Sequence, residues 1–145
     1  MGVLAGIARR EKKLSPMETL QSAEVSAETG VANDSRGKPG KRQVTLLSAH
    51  DWRAACDEVG KDVVWTTRRA NLFIEDFDLP REAGRLILIG DVRLRTTVEI
   101  DPCSRMDDQC PGLKKALQPV RRGGVGCEVL QGGRIKIGDT VSVVE

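Results

Sequence analysis

The fold class turns on residues 85–100, "RLILIGDVRLRTTVEI". Two runs of strand-forming residues flank the pair Gly90-Asp91. A two-residue Gly-Asp linker between such runs signals a tight hairpin, because the turn needs positive φ, which these residues tolerate. Leu86, Leu88, Val92 and Leu94 alternate with polar or outward positions and form the expected buried face. Downstream, residues 124–144, "GVGCEVLQGGRIKIGDTVSVV", repeat the pattern with turns at Gly132-Gly133 and Gly138-Asp139, again read as hairpins.

Upstream the same language continues. "NLFIEDF" (71–77) and "QVTLLS" (43–48) read as strands, and "GVLAGIARR" (2–10) places Val3, Ala5 and Ile7 on one side. "ETLQSAEVSAETGV" (18–31) is compatible with polar extended chain, and "NDSRGKPGKR" (33–42) is a loop by composition. One helix stands out. Ser48 can cap its start, Asp51 favours its first turn, and Gly60 ends it, with Trp52, Ala55, Cys56 and Val59 on one apolar stripe. Cys56 is therefore expected to be a buried core thiol. "GLKKAL" (112–117) reads as a helical turn ended by Pro119. Many short strands with one or two short helices, and no strand-helix alternation, indicate a mainly β antiparallel barrel or sandwich.

The chain has 145 residues, 39% hydrophobic and 30% charged, ordinary values for one globular domain spanning 1–145. No apolar run approaches the roughly 20 residues that cross a bilayer. The apolar-then-basic start "MGVLAGIARREKKL" reverses a secretory signal's charge order, and Gly6 stands where a myristoylation motif wants Ser or Thr. A cytoplasmic protein with no membrane partner is expected. Net charge is +2, and the only aromatics are Trp52, Trp65, Phe73 and Phe77. Neither a global positive field nor a stacking platform is available, so nucleic acid is not an expected partner. The basic stretches "SRGKPGKR" and "TTRRAN" suit a small anionic ligand; a solvated loop is the plainer reading of either one.

Four cysteines remain: Cys56, Cys103, Cys110 and Cys127. No C-x-x-C pair marks structural zinc, and the single histidine, His50, excludes His-rich metal sites. Three readings compete for "EIDPCSRMDDQCPGLKKAL" (99–117): a metal knuckle, a disulfide, or one reactive thiol. If a helix begins after Pro102, Cys103 lies at its N-terminus, where free N–H groups stabilise a thiolate and Arg105 adds positive charge. Asp107 and Asp108 oppose this if they face the sulfur. Pro111 directly after Cys110 ends the turn and leaves Cys110 structural, although a redox pair with Cys103 is also open.

Several segments, in order, resemble the MOSC domain, the module named for the C-terminal part of molybdenum cofactor sulfurase. They are "GVANDSRG" (30–37), "RQVTLLS" (42–48), "RRANLFIEDFDLP" (68–80), "GRLILIGDVRL" (84–94), "PCSRMDDQCPGLKKAL" (102–117) and "RGGVGCEVLQGGRIKIGD" (122–139). The resemblance implies a MOSC-like (pyruvate-kinase-barrel-like) β-barrel whose hallmark cysteine matches Cys103, as sulfur carrier or as molybdenum ligand. By the same resemblance Arg69 and Asn71 match the family's Arg-to-Asn-Leu stretch, and Arg36 and Arg42 border the cofactor pocket. Arg105 joins these as a cofactor-binding candidate. Where relatives often carry a Gly-Asp pair, this chain has Asn33-Asp34.

The implied cofactor is molybdopterin, a small anionic cofactor whose phosphate suits Arg and Lys and whose molybdenum accepts thiolate; bound pyridoxal phosphate is not expected. Two roles follow from the resemblance. One is a module that carries sulfur or the metal–sulfur cofactor to a partner, supplied by a sulfur donor and acting as a sulfur transferase. The other is a molybdenum-dependent reductase of small N-hydroxylated compounds. No ferredoxin-like cysteine pattern is present, so its electrons would come from an electron-transfer protein. Two or more of Arg36, Arg42, Arg69 and Arg105 are expected to converge near Cys103.

Overall fold

The computed structural model describes residues 2–12, 16–35, 37–80, 82–100, 106–107, 110–118 and 122–144. Along the chain run β1 (Gly2–Arg9), β2 (Glu18–Leu20), β3 (Ser22–Ser26), β4 (Gly30–Val31), β5 (Val44–Ser48), α1 (Ala49–Val59) and a 3-10 turn (Trp65–Arg68). Then follow β6 (Leu72–Glu75), β7 (Leu86–Ile89), β8 (Val92–Glu99), α2 (Leu113–Ala116), β9 (Val125–Gln131), β10 (Gly133–Lys136) and β11 (Thr140–Val144). Strands β11-β7-β8-β9-β5-β6-β1 neighbour one another in that order, and β1 pairs back onto β11, so the sheet closes into a barrel. Closure removes the open edges that a free sheet would present. A small second sheet, β10-β3-β4, lies beside the barrel.

The barrel is antiparallel with one exception. β5 and β6 run parallel, Leu46 opposite Leu72 and Leu47 opposite Phe73. The crossover that parallel pairing requires is α1 with the 3-10 turn, which also covers the outer face of this pair. All five residues of β5 are buried as a result. Leu46, Leu72 and Ile74 fill the barrel with Leu4, Ile7, Ile87, Ile89 and Leu94. Leu47 and Phe73 face the other way into a second core with Ala49, Trp52, Ala55, Cys56, Met106, Cys110, Leu113 and Leu117.

Helix α1 forms as its caps require. Ser48 Oγ accepts from Asp51 N at 3.4 Å, and Gly60 adopts φ 71° while its N–H donates to Asp57 O. Glycine enters that left-handed region without the backbone strain that a side chain brings. Trp52, Ala55 and Cys56 are buried on the predicted stripe, Val59 partly so, and Trp52 Nε1 donates to Val63 O at 2.9 Å.

Three features differ from the sequence reading. In β7 the deeply buried pair is Ile87 and Ile89, while Leu86 and Leu88 are half-buried. The two-residue turn sets Ile89 opposite Val92 and Ile87 opposite Leu94, and opposite residues share a face. In β1, Val3 is 43% exposed, and Leu4 and Ile7 point inward. A β-bulge between Leu4 and Gly6 against β6 shifts the alternation by one. Finally, Gly132-Gly133 and Gly138-Asp139 do not close hairpins. β10 pairs with β3, and β11 pairs with β7 and β1. At Gly138-Asp139 the backbone bonds go to β1 instead, Gly138 N to Leu4 O and Leu4 N to Asp139 O.

Candidate functional site

Three segments are tied together through residues 68–71. The first is the turn after β4. Asp34 N donates to Val31 O, and Asn33 sits at φ 65°, a left-handed geometry that asparagine tolerates. This folds the Asp34 carboxylate back onto the barrel: Oδ1 accepts from Arg10 N at 3.1 Å and Oδ2 from Asn71 Nδ2 at 3.2 Å.

Asn71, on the second segment, is buried and spends its whole amide. Its Oδ1 accepts from Thr45 N at 3.0 Å and from Thr45 Oγ1 at 3.2 Å. Its Nδ2 donates to Ala8 O at 3.1 Å and to Asp34. An amide offers two donors and a two-lone-pair acceptor, so every capacity is in use. Asn71 therefore ties β1, β5 and the Asp34 turn together and aims the Asp34 carboxylate.

Arg69, two residues earlier, caps the 3-10 turn at φ 63°. Its Nη1 is sealed from solvent without a hydrogen-bond partner among the described residues, and so is Ser35 Oγ, next to Asp34. A buried donor without a partner costs about 1–3 kcal/mol, and native proteins resolve it with water, an ion or a ligand. The Asn71–Asp34 bond brings the two segments carrying these donors side by side. A guanidinium and a hydroxyl left over in this way match the chemistry of an anion, a phosphate oxygen in particular.

The third segment is the excursion between β8 and β9 that carries Cys103. Its stems are fixed. Ile100 N donates to Gly124 O at 2.9 Å, and the buried Arg68 side chain donates to Gly123 O and Ile100 O. Inside the excursion, Met106, Cys110, Leu113 and Leu117 are buried against α1 in the second core. Cys103, Arg36 and Arg105, and with them the expected convergence of arginines on Cys103, lie outside the described residues. Arg42 is exposed on the loop before β5.

The remaining thiols are held out of chemistry. Cys56, Cys110 and Cys127 are free and buried. Burial pushes the Cys56 thiol up, despite its contact with Val63 O, and pushes Cys127 up to about 12. Among the described residues no cluster of three or more His, Cys, Asp or Glu side chains could hold a metal ion. No described helix is long and apolar enough to cross a membrane.

Sequence reading named Arg69, Asn71, Asp34 and, as an anion-binding candidate, Arg68, whose side chain instead bonds backbone carbonyls; it missed the parts played by Ser35 and Thr45. One signal was available. Thr45 and Asn71 are polar residues inside the apolar runs "QVTLLS" and "ANLF", and a polar side chain there must find partners in the fold.

Comparison with known proteins gives a consistent picture. The family profile of the MOSC domain matches residues 24–142. Among solved structures, the YuaD protein from Bacillus subtilis superposes with TM-score 0.77 at 18% identity, covering 99% of this chain and 96% of that one. YiiM from Geobacillus stearothermophilus gives 0.77 at 15% identity, covering 100% of this chain and 76% of its own. YiiM from Escherichia coli gives 0.72 at 12% identity, with 99% and 70% covered. At these identities the likeness shows the fold. No curated protein matches the sequence.

Proposed function

The chain belongs to the MOSC domain family, and from that premise we propose that it is a module in which Cys103 carries sulfur, or ligates a metal–sulfur cofactor, for delivery to a partner protein. The observation that carries this reading is the pair of stranded donors, Arg69 Nη1 and Ser35 Oγ, on segments joined through Asp34 and Asn71. Buried donors without a protein partner are met by water, an ion or a ligand, and a guanidinium with a hydroxyl suits an anion.

Arg69 and Ser35 would hold the anionic part of a molybdopterin, with Arg36, Arg42 and Arg105 as rim cations. Asp34, fixed by Arg10 N and Asn71, offers a rigid acceptor to a ring N–H or hydroxyl. When bound, the cofactor supplies a metal that accepts thiolate and an exchangeable sulfur. The chain's own part is to present one thiolate. In the carrier role, the Cys103 thiolate attacks the outer sulfur of a donor persulfide. The donor's S–S bond breaks, its inner thiolate leaves, and Cys103 holds the transferred sulfur with no net oxidation or reduction. The acceptor reverses these steps. A sulfur donor and an acceptor in the cytoplasm are the partners this role needs.

The test is elemental and chemical analysis of protein from a host that makes the cofactor. The carrier role requires close to one cyanide-labile sulfur per chain, absent in Cys103→Ser. Stoichiometric molybdenum lost in Cys103→Ser assigns the metal-ligand role instead, and with it the alternative of an N-hydroxylated-compound reductase. Neither sulfur nor molybdenum in wild type contradicts the proposal.

A further inference from the structure

We infer that Arg68 is a positioning residue for Cys103, acting as a clamp on the two stems of the segment that bears it. The inference rests on the proposed role of Cys103. Arg68 Nε donates to Gly123 O at 2.8 Å and Nη2 to Ile100 O at 2.9 Å. These carbonyls lie immediately outside residues 101–122, one at each end. A single guanidinium therefore bridges the exit and return of the chain, from an element 32 residues before one and 55 before the other.

Three observations make the bridge specific. Arg68 is buried, 8% exposed, so its cation is held inside the fold and is not a solvated rim charge. The stems are packed around it without slack. An added Cβ on Gly123 would collide with Ile100 O and lie 3.1 Å from Arg68 Nη2. Arg68 also precedes Arg69 and Asn71 on the same short stretch, so the clamp sets the Cys103 stems in register with the stranded donor and the Asp34 carboxylate. The planar fork of arginine can address two carbonyls at once with little further loss of freedom, whereas a lysine is a point donor. Fixing both ends of a long excursion also limits where Cys103, three residues past Ile100, can lie.

The test compares wild type, Arg68→Met and Arg68→Lys by amide hydrogen exchange and by sulfur and molybdenum content. In wild type the Ile100 amide exchanges as slowly as the barrel strands. In Arg68→Met, exchange at Ile100 and at 122–124 quickens at least tenfold relative to Leu94 and Ile74, and the content at Cys103 falls at least fivefold. Arg68→Lys recovers part of both. Unchanged exchange in folded Arg68→Met overturns the clamp; faster exchange with unchanged content reduces Arg68 to a structural residue and overturns positioning. Should Arg68→Met not fold, fast exchange at Ile100 in wild type is itself sufficient to reject the clamp. Wild type with neither sulfur nor molybdenum sinks the functional reading, while the exchange comparison still judges the clamp.

Discussion

At the scale of single residues, polar satisfaction matters more than residue type. Asn71 has the chemistry of a ligand-binding amide, the use that the family resemblance implies. Buried among Thr45, Ala8 and Asp34, it instead holds the site's acceptor in place. Replacing it with alanine leaves Thr45 N, Ala8 O and Asp34 Oδ2 short of a partner, each worth about 1–3 kcal/mol when buried. Asn71→Ala should therefore lose roughly 3 kcal/mol or more of stability in urea unfolding. A loss below about 0.5 kcal/mol, the usual limit for surface substitutions, would show that the knot is loose. Glu75 offers a second test. Arg53 donates to both its oxygens at 2.6 and 2.7 Å and holds its carboxyl below the usual glutamate value. A lowered folded-state value means stability present above the unfolded value near 4.5 and lost as pH falls through the folded one. The pair is partly exposed, so Glu75→Gln should cost at most about 1 kcal/mol at pH 7. That deficit should vanish in acid, as read from melting temperatures between pH 7 and 3.

At the scale of elements, the readable signals were those with a local cause. Helix α1 follows from Ser48, Gly60 and one stripe of side chains, all visible in the sequence. Ser48→Ala removes the acceptor for Asp51 N, together with a hydroxyl contact to Phe77 O at 3.3 Å. It should destabilise by about 1 kcal/mol, measured by chemical unfolding; an unchanged midpoint would mean the helix start is held by packing alone. The hairpin at Gly90-Asp91 was equally legible. Strand phase was not, because "LILI" is apolar on both faces and the bulge in β1 is set by its neighbour β6. The turns at Gly132 and Gly138 carry hairpin chemistry, but their partners β3 and β1 are more than a hundred residues away in sequence. Local composition cannot encode such a partner.

At the scale of the whole molecule, barrel closure and the second core bury three thiols, and the proposed function sets Cys103 apart from them. The interior takes Cys127, and the helix-covered face takes Cys56 and Cys110. The excursion whose two stems Arg68 bridges carries the fourth. The barrel class was legible because it depends on short strand and turn motifs. The linkage of Asp34, residues 68–71, Ile100 and Gly123 was not, since only the folded topology brings them together. Brief treatment of the native, reduced and cyanide-stripped protein with iodoacetamide, followed by peptide mass mapping, addresses this division directly. The expected result is a single adduct on Cys103, with Cys56, Cys110 and Cys127 unmodified until the protein is unfolded. Labelling of the buried three first, or a Cys103 that stays unmodified until unfolding, would contradict it.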